Sequence, residues 1–254
     1  MENEKLNNLF TAARNARETS DDETALKIYE EISTIDPNNW EAFFYLVVLK
    51  TNSIKYGEIS NAAISVINCL PKVFELINTT IKDEQEKKNV VKEVVSQCSK
   101  TASWLITANG NFYNSITNNN LNFSVTTAAV NMDAKRKARY ESAQRMANIG
   151  NILCACGNCI ETVIGLEDEF YQKLAVDCWE AMLCTHFGHI KTYKVAVFND
   201  EAINKFAAKV KQYKPSYELP DIKPTEKRNY NIAAILLTIA ALGVGILIAL
   251  PFLK

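Results

Sequence analysis

The chain has 254 residues, with 28 Lys and Arg against 29 Asp and Glu and a formal net charge of −1. That balance, with a pI near 6.2, lacks the basic excess of a dedicated nucleic-acid binder and argues against that class. Eight Gly and six Pro leave little turn punctuation, as long helices require. Seven Cys in a chain expected in a reducing cytosol read as thiols rather than as a disulfide framework.

The first fifty residues read as helices separated by turns. The opening MENEKLNNLF has no apolar core and no small-residue cleavage site, so no secretory signal is expected there. Leu6, Leu9, Ala13 and Ala16 fall on one face of a first helix. Ser20-Asp-Asp-Glu23 has the form of a capping box, in which hydroxyl and carboxylate satisfy orphan amides at the start of a second helix. Ala25, Ile28, Tyr29 and Ile32 share a face of that helix. Asp36-Pro37-Asn38-Asn39 stops it and starts a third, Trp40 to Lys50.

This spacing resembles a tetratricopeptide repeat over residues 6 to about 50. Ala13 and Ala25 stand where its two helices approach closely, Tyr29 and Ile32 where the pair is sealed, and Pro37 at the closing turn. Leu9 replaces the early aromatic, Ala13 replaces the usual glycine, and no second full repeat follows. The resemblance implies a short concave groove for a peptide, lined by Phe10, Arg14 and Arg17 from the first helix and by Glu41, Phe44 and Val48 from the third. Two arginines beside aromatics suit an acidic or C-terminal carboxylate ligand. Repeat units cannot bury their faces alone, so the remaining helices must complete the core.

Those helices follow by period. Glu58 to Ile81 is one, with Pro71 expected to kink or break it. Asp83 caps a long helix whose stripe runs Val91, Val94, Val95, Cys98, Ala102, Leu105, Ile106 and Phe112. Asn118-Asn119-Asn120 marks a turn. The next helix carries a seam of Tyr140, Ala143, Ala147, Gly150, Cys154 and Gly157, whose small residues admit a close neighbour, and Gly165 ends it. Leu166 to Tyr193 and Asn199 to Gln212 are two more, the last entered through an Asn199-Asp200 cap. No stretch alternates as a strand. The expected fold is all-α: tetratricopeptide-like helices over residues 1–56, long antiparallel helices packed on them over 57–213, a Pro-rich linker over 214–229 and a membrane anchor over 230–254.

The anchor rests on Ile232 to Leu253, an unbroken apolar run with Thr238 its only polar side chain. As a helix rising ~1.5 Å per residue it is long enough to cross a hydrocarbon core of ~30 Å, where a single segment must satisfy its backbone internally. Lys223, Lys227 and Arg228 precede the run, which by the positive-inside tendency places the preceding residues in the cytoplasm. The membrane would be the cell membrane in a bacterium and an organelle surface in a eukaryote. Ala240, Ala241, Gly243 and Gly245 offer a small-residue patch for self-association within the span. Pro215, Pro220 and Pro224 favour an extended spacer that would hold the body up to ~40 Å from the bilayer.

Catalytic motifs are missing. No GxSxG, phosphate-binding glycine loop, calcium loop or HExxH order occurs, so no enzyme and no cofactor are expected. The acid pairs Asp21-Asp22 and Glu167-Asp168 sit at helix starts, where carboxylates favour the dipole's positive end. Cys154, Cys156 and Cys159 could ligate zinc with Cys178, Cys184, His186 or His189 as a fourth partner. On a helix, though, Cys154 points roughly 160–220° away from the other two, and buried seam residues are the favoured reading. His186 and His189 read as packing or surface residues. Lys135-Arg136-Lys137 with Arg139 reads as a solvated helix face, with anionic lipid or an acidic partner as the alternative. The function expected is a membrane-tethered cytoplasmic adaptor or scaffold for a protein or peptide partner. The alternatives are a thiol- or zinc-dependent protein centred on the three cysteines, or an architectural subunit of a membrane complex.

Overall fold

The computed structural model describes residues 2–118 and 125–225. Among the described residues there are eight α-helices and no strand, so the fold is all-α. The expected membrane run Ile232 to Leu253, with Lys227, Arg228, Asn119 and Asn120, lies outside the described residues.

Helix α1 (Glu2–Glu18) and α2 (Asp22–Ile35) pack as a hairpin through Ala13, Ala16, Ala25, Tyr29 and Ile32. The capping box expected at Ser20 moves by one residue. Ser20 takes a left-handed conformation at φ 59 that closes α1, and Asp21 caps α2 by accepting the Thr24 N–H at 3.1 Å. Asn39 caps α3 (Trp40–Thr51), accepting from the N–H groups of Glu41 and Ala42.

A 3₁₀ turn, Tyr56–Glu58, leads into α4 (Ile59–Thr80). Pro71 lies inside this helix and does not break it. The lost amide costs ~3 kcal/mol, but Cys69, Leu70, Val73 and Phe74 beside it are all buried, and their packing holds both halves in line.

Asp83 accepts the Glu86 N–H at 2.7 Å and opens α5 (Glu84–Asn118), which is about 50 Å long at 1.5 Å per residue. α6 (Val125–Cys159) continues into a π-helical turn, Ile160–Ile164. Gly165 ends it at φ 100, a conformation that favours glycine. α7 (Glu169–Tyr193) and α8 (Asp200–Tyr213) are capped by Asp168 and Asn199.

Successive helices stack on one another from α1 to α8, with α6 also resting on α4. Buried apolar side chains from Ala13 to Val210 form one cluster, so the N-terminal helices and the long bundle share a core. From Lys135 to Ile164 the α6 stretch is apolar and long enough to cross a membrane, by length and composition alone, and half of its most apolar window is buried. Ile149, Ile152, Cys156 and Ile160 are enclosed within the core. That burial accounts for its composition as a central core helix. The seam closes tightly: a Cβ on Gly157 would stand 2.6 Å from Trp179 Nε1 and 3.0 Å from the Ala175 carbonyl.

The Pro-rich segment is not a free spacer as far as Thr225. Tyr217, Leu219 and Ile222 pack against the core. Lys214 Nζ meets Glu180 at 2.7 Å, and the Thr225 N–H donates to the Lys194 carbonyl at 3.1 Å. The segment therefore runs as a strap beside α7, because apolar residues between the prolines find a surface to cover.

Candidate functional site

Arg14 and Arg17 stand three apart on α1, and so share a face. Opposite them Glu41, in the first turn of α3, is only 3% exposed. Arg14 Nε donates to both Glu41 oxygens at 3.0 and 3.2 Å, and Nη2 adds a further bond to Oε2. The Tyr29 hydroxyl donates to Glu41 Oε1 at 2.7 Å. Arg17 lies over the Tyr45 ring, 3.5 Å from its centroid, and reaches Glu93 of α5 at 3.4 Å. The Tyr45 hydroxyl donates to the same Glu93 oxygen at 2.6 Å. Burial, reinforced by the adjacent carboxylates, pushes both tyrosine pKa values well up, so the phenols stay donors. The hydrogen bond to Glu41 holds Arg14 above its ordinary value.

This arrangement corrects the expected groove. Phe44 and Val48 are fully buried and Glu41 nearly so. Phe10 is half-buried beneath Arg14, 5.5 Å from its ring centroid. The carboxylates that the arginines suit are the chain's own: Glu41 of α3, and Glu93 of α5, which reaches across to Arg17 and the Tyr45 hydroxyl. Phe10, Arg14, Arg17 and Glu41 come together, but as a lock between helices, while Phe44 and Val48 belong to the core.

A second polar cluster joins α5, α6 and α7. Arg145 Nε donates to Asn109 Oδ1 at 2.7 Å, and Asn109 Nδ2 donates to Ser142 Oγ at 3.0 Å. Ser142 Oγ is 3.5 Å from His189 Nε2, and His189 Nδ1 is 2.9 Å from the Val195 carbonyl. A carbonyl only accepts, so His189 carries its proton on Nδ1 and Nε2 accepts from the serine. His186 has the opposite tautomer, its Nδ1 accepting the Phe198 N–H at 3.1 Å. Burial pulls the His186 pKa down to about 4. Ser142 and His189 are both enclosed; a nucleophile needs substrate access, and here the pair pins the buried turn Val195 to Phe198.

The cysteines are a third cluster. Cys154, Cys156 and Cys159 lie on unbroken α6 and are buried, as are Cys69, Cys98 and Cys178 from α4, α5 and α7. Cys156 shares a hydrogen bond with Cys98, which with burial raises its pKa. Burial pushes Cys69 and Cys154 up to about 12. Cys154 turns instead toward Asn158, which donates to its sulfur at 3.5 Å. Among the described residues no group of three His, Cys, Asp or Glu could hold a metal ion. The suggested fourth ligands do not complete one either: Cys184 is exposed, and both histidines are committed to the Val195–Phe198 turn. Protonated thiols of this kind are packing groups.

The surface offers one feature that the periodicity did not flag. Trp104 is 38% exposed, the exposed large apolar side chain among the described residues. It lines a cleft of about 220 Å³ with Ile54, Lys55, Ile59, Thr107 and Ala108. The signal was available: the stripe through Ala102 and Leu105 leaves Trp104 off the buried face of α5. Of the basic residues expected to flank the membrane, Lys223 is exposed and 3.5 Å from Asp221. Comparison with protein families, curated proteins and solved structures found no match for this chain.

Proposed function

We propose that this protein is a membrane-tethered helical scaffold, its cytoplasmic body built on tetratricopeptide-like stacking and held to the bilayer by Ile232 to Leu253. The apolar run with its N-terminal Lys223, Lys227 and Arg228 carries the reading, since so long an uncharged segment partitions into lipid. The cleft beside Trp104 is the partner site in this reading. A half-exposed tryptophan is the kind of aromatic anchor on which interface energy concentrates, and Lys55 at its rim suits a polar or acidic group. The internal clusters favour a scaffold over an enzyme, because their polar groups are spent on holding helices together.

Two measurements test this. The full-length chain should stay with membranes through alkaline carbonate washing; release into the supernatant would end the tether. Crosslinking in its own membrane should capture a protein partner with the wild-type chain and lose it with Trp104→Ala. Equal capture by both would remove the cleft from the reading.

A further inference from the structure

The strap fixes where the tail leaves the body. Thr225 is bonded to Lys194, the residue that closes α7. Residues 226–231 then separate that point from the apolar run. Fully extended, they and their flanking links reach at most about 25 Å, so the body cannot stand off the bilayer by the length of the whole Pro-rich segment.

The same end of the bundle is basic. The last turns of α7 pack on α5 and α6 through Tyr113 and Tyr193, whose ring centroids are 4.7 Å apart, and through Ser142 and His189. α6 is antiparallel to α7, so Lys135 and Lys137 lie about 7–10 Å beyond Ser142 toward that end. Lys191 and Lys194 sit there on α7, both exposed, as is Lys137, and Lys223 follows on the strap. With Arg136 and Arg139 beside Lys135 and Lys137 on α6, the bases at this end number seven against five acids. Asp133 precedes Lys135 by two residues, Glu141 lies 3.9 Å from Lys137, Asp221 is beside Lys223, and Asp200 and Glu201 open α8.

The opposite end has the reverse character. There the starts of α5 and α7 meet, with Tyr171 donating to Glu84 and Lys88 paired to Asp168. Asp83, Glu84, Glu86, Glu167, Asp168 and Glu169 gather around them and outnumber Lys82, Lys87, Lys88 and Lys173 at the same end. A body with one acidic and one basic end, tethered at the basic end, is oriented by any anionic surface within a Debye length, roughly 8–10 Å.

We infer that the end of the bundle bearing Lys135, Lys137, Lys191 and Lys194 lies against anionic lipid headgroups, held there by the strap at Thr225. This rests on the tether of the preceding section, and its test separates the two. Full-length protein is inserted into phosphatidylcholine vesicles, with or without phosphatidylserine, and briefly acylated at lysine, each site being read by mass spectrometry. On phosphatidylserine vesicles Lys135, Lys137, Lys191 and Lys194 should react several-fold more slowly than on phosphatidylcholine alone. Lys82 and Lys173, at the far end, should change little. Replacing Lys135 and Lys137 by Glu should restore reaction at Lys191 and Lys194 while the protein still resists carbonate.

Equal reaction at both ends on a carbonate-resistant protein would overturn the docking and leave the tether standing. Protection in native membranes but in neither vesicle would mean that an acidic protein covers this end, and would also overturn it. Failure to associate with either vesicle would remove the tether and the docking together.

Discussion

Two buried polar clusters hold this molecule together, and they do so with opposite chemistry. Between α1, α3 and α5 the groups are formal charges: Arg14 and Arg17 against Glu41 and Glu93, with Tyr29 and Tyr45 as neutral donors. Between α5, α6 and α7 the chain runs from Arg145 through uncharged Asn109, Ser142 and His189 to a backbone carbonyl. The first joins helices far apart in sequence at the cost of a desolvated carboxylate. The second tolerates deep burial because its inner members carry no charge. A charged lock fails when one partner is removed, and a neutral one fails when a member acquires charge.

The largest effect expected is therefore from Glu41→Ala, which removes the acceptor that Arg14 and Tyr29 share and leaves Arg17 with Glu93 alone. Because Arg14 is half exposed, the loss should be about 3 kcal/mol, the low end for a broken buried pair, and urea denaturation should show it as a lower midpoint with an unchanged slope. A loss below about 1 kcal/mol would place this site among surface ion pairs and dissolve the contrast.

Acid should strike the second cluster next. The His186 pKa is depressed to about 4 in the folded chain, against about 6.5 when unfolded. Below pH 6.5 the unfolded chain binds the extra proton. Stability is therefore complete above about pH 6.5 and falls as pH drops toward 4, by about 3 kcal/mol from this residue. Protonated Nδ1 would also face the Phe198 N–H, donor against donor. His186→Gln should flatten that part of the pH–stability curve; an unchanged curve would clear His186 of the role.

Asn109→Ala comes third. It leaves Ser142 and Arg145 without their shared partner, and an unsatisfied buried group costs about 2 kcal/mol. Thermal denaturation should detect it. The smallest is Tyr45→Phe, which keeps the ring under Arg17 and removes only the hydroxyl bond to Glu93. About 1 kcal/mol is expected, and a double-mutant cycle with Glu93→Gln should show the two sites coupled. Strict additivity would mean that the Tyr45 hydroxyl bond to Glu93 adds nothing to the join.

Much of the helical order was legible, because caps and apolar periods are local. Asn39, Asp83 and Asn199 each stand at the start predicted for them, and Gly165 stops its element where the chain needs a positive φ; the helix expected from Leu166 begins three residues later, at Glu169, with Asp168 as its cap. The seam through Ala143, Gly150 and Gly157 is buried as its small residues implied. Other features were misread for identifiable reasons. Pro71 has a strong local preference to interrupt, which packing on both sides overrides. Ser20 and Asp21 are both competent caps, and the backbone chose between them by turning left-handed at Ser20. The Pro-rich composition of the strap describes its stiffness but not the surface it lies on.

The candidate site shows the same division. From the residues alone, Arg14 and Arg17 called for carboxylates, and of the six positions from Phe10 to Val48 the structure joins Phe10, Arg14, Arg17 and Glu41 while Phe44 and Val48 go to the core. Nothing local said that Glu41, 27 residues from Arg14, and Glu93, 76 from Arg17, would supply those carboxylates from within the chain. By itself the sequence determined an all-helical chain, where most helices begin and end, and which side of each is apolar, since those properties depend on neighbours a turn away. Only the tertiary structure decided which helix arrives opposite each charge, that the expected groove is closed, and that the strap brings the tail out at the basic end. Those outcomes depend on pairing between distant segments, which no short-range pattern encodes.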